Sequence, residues 1–147
     1  MKMKIFAVIR MRGTVKARKE AVATLKMLRL SRKMHCVVIP DTPSYAGMIH
    51  AAKDYITWGE ISTEMLHKLI EKRGRKLGNK RLTTEGDVKA AAKLLTEGKN
   101  LKGTEIKPVF RLAPAKGGFK YSIKYNYPKG EIGYRGEKIN ELLEKMI

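Results

Sequence analysis

The chain has 147 residues, the size of one domain, and carries 32 Lys and Arg against 14 Asp and Glu, a formal net charge of +18. With 43% hydrophobic residues it can bury a core without a metal or disulfide staple. No apolar run reaches the ~18 residues of a transmembrane helix, the N-terminal run is too short for a signal peptide, and a lone cysteine, Cys36, excludes a disulfide framework and a cysteine-clustered zinc site.

Residues 3–9 are apolar and β-rich, which predicts a buried strand, and Gly13 breaks the run. From Lys16 to Leu30 the spacing turns helical, with Ala21, Val22, Leu25 and Leu28 on one face and basic residues opposite. Cys36-Val37-Val38-Ile39, stopped by Pro40, predicts a second strand. Thr42-Pro43 reads as N-cap and first turn of a second helix, whose buried face is Tyr45, Met48, Ile49 and Ala52. Ile56-Thr57-Trp58 is a third strand, ended by Gly59. Residues 1–60 thus read β-α-β-α-β. Two right-handed crossovers would place both helices on one face of an antiparallel sheet, an α+β, ferredoxin-like arrangement.

Beyond it, Ser62 caps a helix with Met65, Leu66, Leu69 and Ile70 on one side, ended by Gly74. Thr84 and Asp87 resemble a capping box ahead of Val88, Ala91, Ala92 and Leu95, with Gly98 past the end. Val109 to Leu112 predicts a short strand. Pro114 to Gly136 reads as loop-rich, and Ile139, Leu142, Leu143 and Met146 mark a last helix. No repeat or linker divides the chain. Residues 1–147 are expected to form a single domain, with a core over 1–60 and a helical, loop-rich extension over 61–147 packed on it.

An excess of +18 is far above the net charge of roughly 2–8 that keeps a small domain soluble. The self-repulsion points to a polyanionic partner, and nucleic acid is the default. A membrane surface fits less well, because the basic residues are spread along the whole chain rather than set on one amphipathic helix. Three segments concentrate the charge. Residues 1–40 hold 11 basic residues and one acid, Glu20. Within them Arg10, Arg12, Lys16, Arg18 and Lys19 surround the first strand-to-helix turn, where free helix N–H groups favour phosphate and Gly13 permits close approach. Arg32 and Lys33 follow the helix. Arg73, Arg75, Lys76, Lys80 and Arg81 lie in a glycine-containing loop that could order on RNA. Residues 111–129 hold Arg111, Lys116, Lys120, Lys124 and Lys129 with no acid, interleaved with Phe119, Tyr121, Tyr125 and Tyr127, a pattern suited to phosphate contact plus stacking. Against each stands the plainer reading of a solvated face, a solvated loop, or a hairpin whose tyrosines pack on the core.

No catalytic constellation assembles. His35, His50 and His67 lack metal-ligand spacing and read as surface or core histidines. Cys36 sits in an apolar strand, where a thiol is buried and inert. Gly98 and Gly103 have the gap of a phosphate loop, but Thr104 stands where the lysine is needed. Asp41 and Asp54 read as turn and surface carboxylates. No cofactor and no metal are expected.

Asp41-Thr42-Pro43-Ser44-Tyr45-Ala46-Gly47-Met48-Ile49 after a Val-rich strand resembles the Asp-Thr-Pro…Gly-Met-Ile segment of the L-thirty family of large-subunit ribosomal proteins. Leu25-Lys26-Met27-Leu28-Arg29-Leu30 resembles that family's helix end. Trp58-Gly59, Arg111 to Gly118, and Ile139 to Met146 fit its longer archaeal and eukaryotic form. The usual Pro-Arg-Gly-Gly is here Ala115-Lys116-Gly117-Gly118, a point charge in place of a guanidinium fork. The resemblance spans nearly the whole chain. It implies a ferredoxin-like core that binds large-subunit ribosomal RNA, with neighbouring ribosomal proteins as further partners. The protein would be a monomer within the large subunit in the cytoplasm, with no membrane association and no catalytic activity. The shortness of the N-terminal segment points to an archaeal source, and the absence of glutamine beside abundant Lys, Arg and Glu to a heat-adapted one.

The expected RNA-binding residues are therefore Arg10, Arg12, Gly13, Lys16, Arg18, Lys19, Arg32 and Lys33 as the main clamp. Thr42, Ser44 and Tyr45 would act at the second helix start, and Arg73, Arg75, Lys76, Lys80 and Arg81 in the loop. Lys116, Gly117, Gly118 and Lys120 would contact RNA in the tail. Recognition would be by shape and phosphate rather than base sequence. A free-standing nucleic-acid binder and an RNA-processing enzyme are the alternatives. The first would bind duplex DNA comparably, and the second would show a turnover lost in Asp41→Ala.

Overall fold

The computed structural model describes residues 5–13, 18–30, 32–75, 85–96, 109–113, 116, 122–126 and 129–147. The elements in order are β1 (Ile5–Arg10), α1 (Lys19–Met27), β2 (His35–Pro40), α2 (Pro43–Ala52), β3 (Ile56–Glu60), α3 (Thr63–Arg73), α4 (Glu85–Thr96), β4 (Phe110–Arg111), β5 (Ser122–Asn126), β6 (Gly130–Tyr134) and α5 (Ile139–Met146), with a 3-10 turn at Gly136–Lys138. The sheet order is β4-β2-β1-β3-β6-β5.

β1 lies at the centre of the core, paired antiparallel with β2 (Ile9 opposite Cys36) and with β3 (Val8 opposite Trp58). β2 and β3 therefore run parallel to each other, and α2 carries the chain across β1 between them. Only this second connection is a crossover. The first, through α1, joins antiparallel neighbours, which corrects the expectation of two. The core is α+β and ferredoxin-like, as the sequence predicts.

Strand parity sorts the side chains into two cores. Val8, Val37 and Ile39 meet Leu25, Leu28, Leu30, Ile49, Ala52 and Ile56 under α1 and α2. Ile5, Ala7, Ile9, Met11, Cys36 and Val38 meet residues of α3, α4 and α5, among them Leu66, Leu69, Ile70, Leu142 and Leu143. The extension thus covers the sheet face that the first two helices leave open. Arg135, 8% exposed, ties the extension to β3: its Nε donates to Thr57 Oγ1 at 2.8 Å, and that hydroxyl donates to the Gly133 carbonyl oxygen at 2.8 Å.

The helix boundaries follow from their caps. Thr42 Oγ1 accepts from Tyr45 N at 3.4 Å with Pro43 opening the helix, and Ser62 Oγ accepts from Met65 N at 3.2 Å. α1 ends earlier than its periodicity suggests. Leu30 N donates to Leu25 O at 2.8 Å and Arg29 N to Lys26 O at 3.0 Å, with Arg29 left-handed at φ 64°. These paired bonds form a Schellman motif in which arginine occupies the usual glycine position. Gly59 does not end β3 but lies within it. A Cβ there would collide with the Gly136 carbonyl oxygen and lie 2.8 Å from Ile139 Cβ, so the glycine serves close approach rather than a turn. Residues 122–126 and 130–134, within the segment the sequence reads as loop-rich, are strands; β5 sits beside β6 in an irregular register. The capping box at Thr84 and the stop at Gly98 lie outside the described residues.

Candidate nucleic-acid interface

One end of the sheet gathers three connections. The C-terminal end of β1, the start of β2 and the start of β3 meet there. Met34 N donates to Arg10 O at 2.8 Å, and Met11 N and Arg12 N donate to Tyr55 O at 2.9 and 3.2 Å. β4 adds a fourth segment through Leu112 N to Met34 O at 3.0 Å. The strands run so that Arg12, Arg18, Arg29, Arg32, Lys33 and Arg111, distant in sequence, border one end, and all but Arg12 are exposed.

Arg12 is partly exposed, its guanidinium over the Tyr55 ring at 5.7 Å from the centroid and its Nη1 donating to Asp54 O at 3.5 Å. Arg18 pairs with the Asp54 carboxylate at 3.6 Å, an exposed pair of small energetic weight. Lys19 is exposed in the first turn of α1. A Cβ on Gly13 would lie 3.3 Å from Lys33 Cε, so this glycine brings the two basic turns together.

Arg10 departs from the expectation of a phosphate clamp. It is 6% exposed, its Nη1 donates to Leu30 O at 2.9 Å and its Nε to Arg12 O at 3.0 Å. Burial holds its guanidinium below the ordinary value, and its role is to brace the two turns that carry the exposed cations. The cause is strand parity: Arg10 shares the inward face of Val8.

Thr42, Ser44 and Tyr45 are not part of this end. They follow β2, whose six residues run about 20 Å away from it. Ser44 is exposed and Tyr45 half-buried, on a helix whose exposed face includes Ala46, Gly47 and His50. Arg73 and Arg75, both half-buried, close α3, and Arg75 Nη1 donates to Gly74 O at 3.1 Å. Lys116 is exposed and held by its N–H to Lys145 O at 3.1 Å. Lys16, Lys76, Lys80, Arg81, Gly117, Gly118 and Lys120 lie outside the described residues.

Sequence reasoning set His35 aside. His35 lies opposite Arg111 in the β2–β4 register, and its Nδ1 is buried with no hydrogen-bond partner among the described residues. Burial, then the charges of Arg111, Arg32 and Arg10, push its pKa below the ordinary value. The signal that would have found it is parity with Val37 and Ile39 on an edge-proximal strand. Cys36, on the opposite parity, is fully buried, its thiol pushed up to about 12 and inert. Among the described residues no group of three or more His, Cys, Asp or Glu could hold a metal ion, and no helix is long and apolar enough to cross a membrane.

Cations gathered from separate connections, carried on a small α+β scaffold, define a basic protein shaped to lie against a polyanion. The chain matches the family described as Ribosomal protein L30p/L7e over residues 6–56, the span from β1 to the start of β3. It is 51% identical to the large ribosomal subunit protein uL30 of Archaeoglobus fulgidus, over 97% of this chain and 99% of that one. It is 47% identical to the uL30 proteins of Methanosphaera stadtmanae and Staphylothermus marinus, again over 97% of this chain and over 100% and 98% of theirs. The chain belongs to the L30p/L7e family of ribosomal proteins. That is a family of structural ribosomal proteins, not of enzymes.

Proposed function

We propose that this protein is a structural constituent of the large ribosomal subunit in the cytoplasm, binding large-subunit ribosomal RNA by phosphate and shape contacts. It sits there as a single copy beside neighbouring ribosomal proteins and needs no cofactor. The observation that carries the reading is the convergence of exposed cations from four chain segments on one end of the sheet, in a protein of net charge +18. The similarity to uL30 proteins along nearly the full chain supports it.

In this reading Arg12, Arg18, Lys19, Arg32 and Lys33 contact phosphates, and Arg10 holds their turns in place. Lys16 belongs to the same group. Thr42, Ser44 and Tyr45 form a separate contact at the far end, where small exposed residues of α2 let a backbone come close. Arg73 and Arg75, with Lys76, Lys80 and Arg81, form a loop contact. Lys116 acts with Gly117, Gly118 and Lys120. Residues 1–60 and 61–147 act as one domain, the second part closing the apolar face of the first.

Sucrose-gradient fractionation of native extract, probed for this protein in low and moderate salt, tests the reading. Co-migration with the large subunit that survives a moderate wash is expected. A protein that stays at the top of the gradient in low salt would be a free-standing polyanion binder instead.

A further inference from the structure

We propose that Arg32, His35 and Arg111 form a phosphodiester-binding corner on the β2–β4 edge, which seats a specific backbone phosphate of the RNA. The proposal rests on the RNA-binding reading above and adds two residues, His35 and Arg111, to its contacts.

Three strands build the corner. His35 lies directly opposite Arg111 in the antiparallel β2–β4 pairing. Extending the β1–β2 register one step past Ile9 and Cys36 brings Arg10 to the other side of His35, and Met34 N donates to Arg10 O there at 2.8 Å. Arg10 and His35 share strand parity with Val8, Val37 and Ile39, so they stand on the α1–α2 face. Arg32 stands on the turn that leads into β2, where His35 N donates to its carbonyl oxygen at 3.4 Å, and the charges that lower the His35 pKa are those of Arg111, Arg32 and Arg10, all of one sign. Arg10 cannot swing away, because two carbonyl oxygens hold it. The positive field of these arginines keeps the imidazole neutral while no anion is present, and an anion seated among them would offset that field.

The side-chain groups that Arg32 and Arg111 turn outward are donors, and the one acceptor of the His35 ring, Nδ1, is buried away from them. His35 Nδ1 is buried without a partner among the described residues, so a proton there would be a buried, unsatisfied N–H. The ring therefore carries its proton on Nε2, the nitrogen left to meet a ligand. One imidazole N–H and two exposed guanidinium forks ask for a ligand with several acceptor oxygens and no donor, which describes a phosphodiester. The backbone is fixed in advance. Met34, left-handed at φ 66° although not glycine, bonds Arg10 through its N–H and Leu112 through its carbonyl at 3.0 Å. It thus locks β1, β2 and β4 around the histidine.

The test pairs a binding assay with a spectroscopic one. Filter binding of purified large-subunit ribosomal RNA is measured over a salt series for wild type, Arg32→Ala/Arg111→Ala, and the control Lys68→Ala/Lys72→Ala on exposed positions of α3. The corner variant is expected to bind at least about tenfold more weakly and to flatten the salt slope by about two, with the control near wild type. In parallel, the His35 ring proton is followed by NMR with inorganic phosphate. Its resonance should move and its pKa rise in wild type, and do neither in the double variant. Circular dichroism checks folding, and Arg32→Lys/Arg111→Lys should restore the slope but not the full affinity. Unchanged RNA affinity and slope in the corner variant overturns the proposal while leaving the RNA reading intact. A response to phosphate without an effect on RNA also overturns it, showing a free-anion site only. Wild type that fails to bind RNA even in low salt overturns both.

Discussion

Toward α3, α4 and α5, β1 sends Ile5, Ala7, Ile9 and Met11 into an uninterrupted apolar core. Toward α1 and α2 it sends Phe6, Val8 and then Arg10, and the same face ends in a half-buried histidine and two left-handed residues that are not glycine, Arg29 and Met34. The first face follows every packing preference. The second breaks several at once, all at the end where exposed cations collect. Local rules are broken where function needs it and compensated elsewhere. Here the compensation is the apolar core toward α3, α4 and α5, whose stability lets the α1–α2 side tolerate a buried guanidinium and left-handed turns.

The largest expected effect tests the packing face. Gly59→Ala should cost about 3 kcal/mol, because its Cβ meets a carbonyl and Ile139 rather than open space. Denaturant unfolding would show it, with RNA affinity of the folded protein unchanged; a loss below about 1 kcal/mol would mean the extension is not closely seated. Next, Arg10→Met should lose about 2 kcal/mol by orphaning the carbonyls of Leu30 and Arg12. It should leave the salt slope of RNA binding in place, whereas Arg12→Ala should lower that slope by about one with little change in stability. The opposite pattern would return Arg10 to the phosphate clamp.

A pH series sharpens the contrast further. His35 is held below its ordinary pKa, so the unfolded chain takes up a proton before the folded one. The stability it contributes is complete above about pH 6.5 and is lost as pH falls below that toward the folded value. The fall in melting temperature between pH 7.5 and 5.5 should shrink in His35→Asn; an equal fall in both proteins would sink the assignment. The smallest effects are gains. Arg29→Gly should add about 1 kcal/mol by relieving the left-handed arginine, and Gly47→Ala about 0.5 kcal/mol, since a Cβ there meets nothing within 4 Å. Both variants should assemble less well into large subunits when competed against wild type. Equal incorporation would make these residues historical rather than functional.

Much of this was legible in the residues. Thr42-Pro43 and Ser62 marked helix starts because capping is local chemistry, and the periodicity of α3 and α5 placed their buried faces correctly. The resemblance at residues 41–49 identified the family that the whole-chain comparison then showed. What failed was long-range. Nothing near Arg10 announces that the carbonyl of Leu30, 20 residues on, will receive it. Gly59 looked like a stop because its reason, Ile139, lies far along the chain. Arg135 and Thr57 are 78 residues apart, so their buried bond has no local trace. β5 and β6 stood only as the plainer hairpin alternative inside a segment read as loop-rich, because their glycine-rich surroundings match turn composition better than strand alternation.

The central position of β1 also sets a timetable. Its partners β2 and β3 have been synthesised by residue 60, so the α1–α2 side can close early. The other side waits for α5, which ends at Met146. At roughly 5–20 residues per second the nascent chain displays an incompletely covered apolar sheet face for several seconds or more. A sheet whose central strand is sealed by a helix so far downstream becomes aggregation-resistant only once that helix has been made.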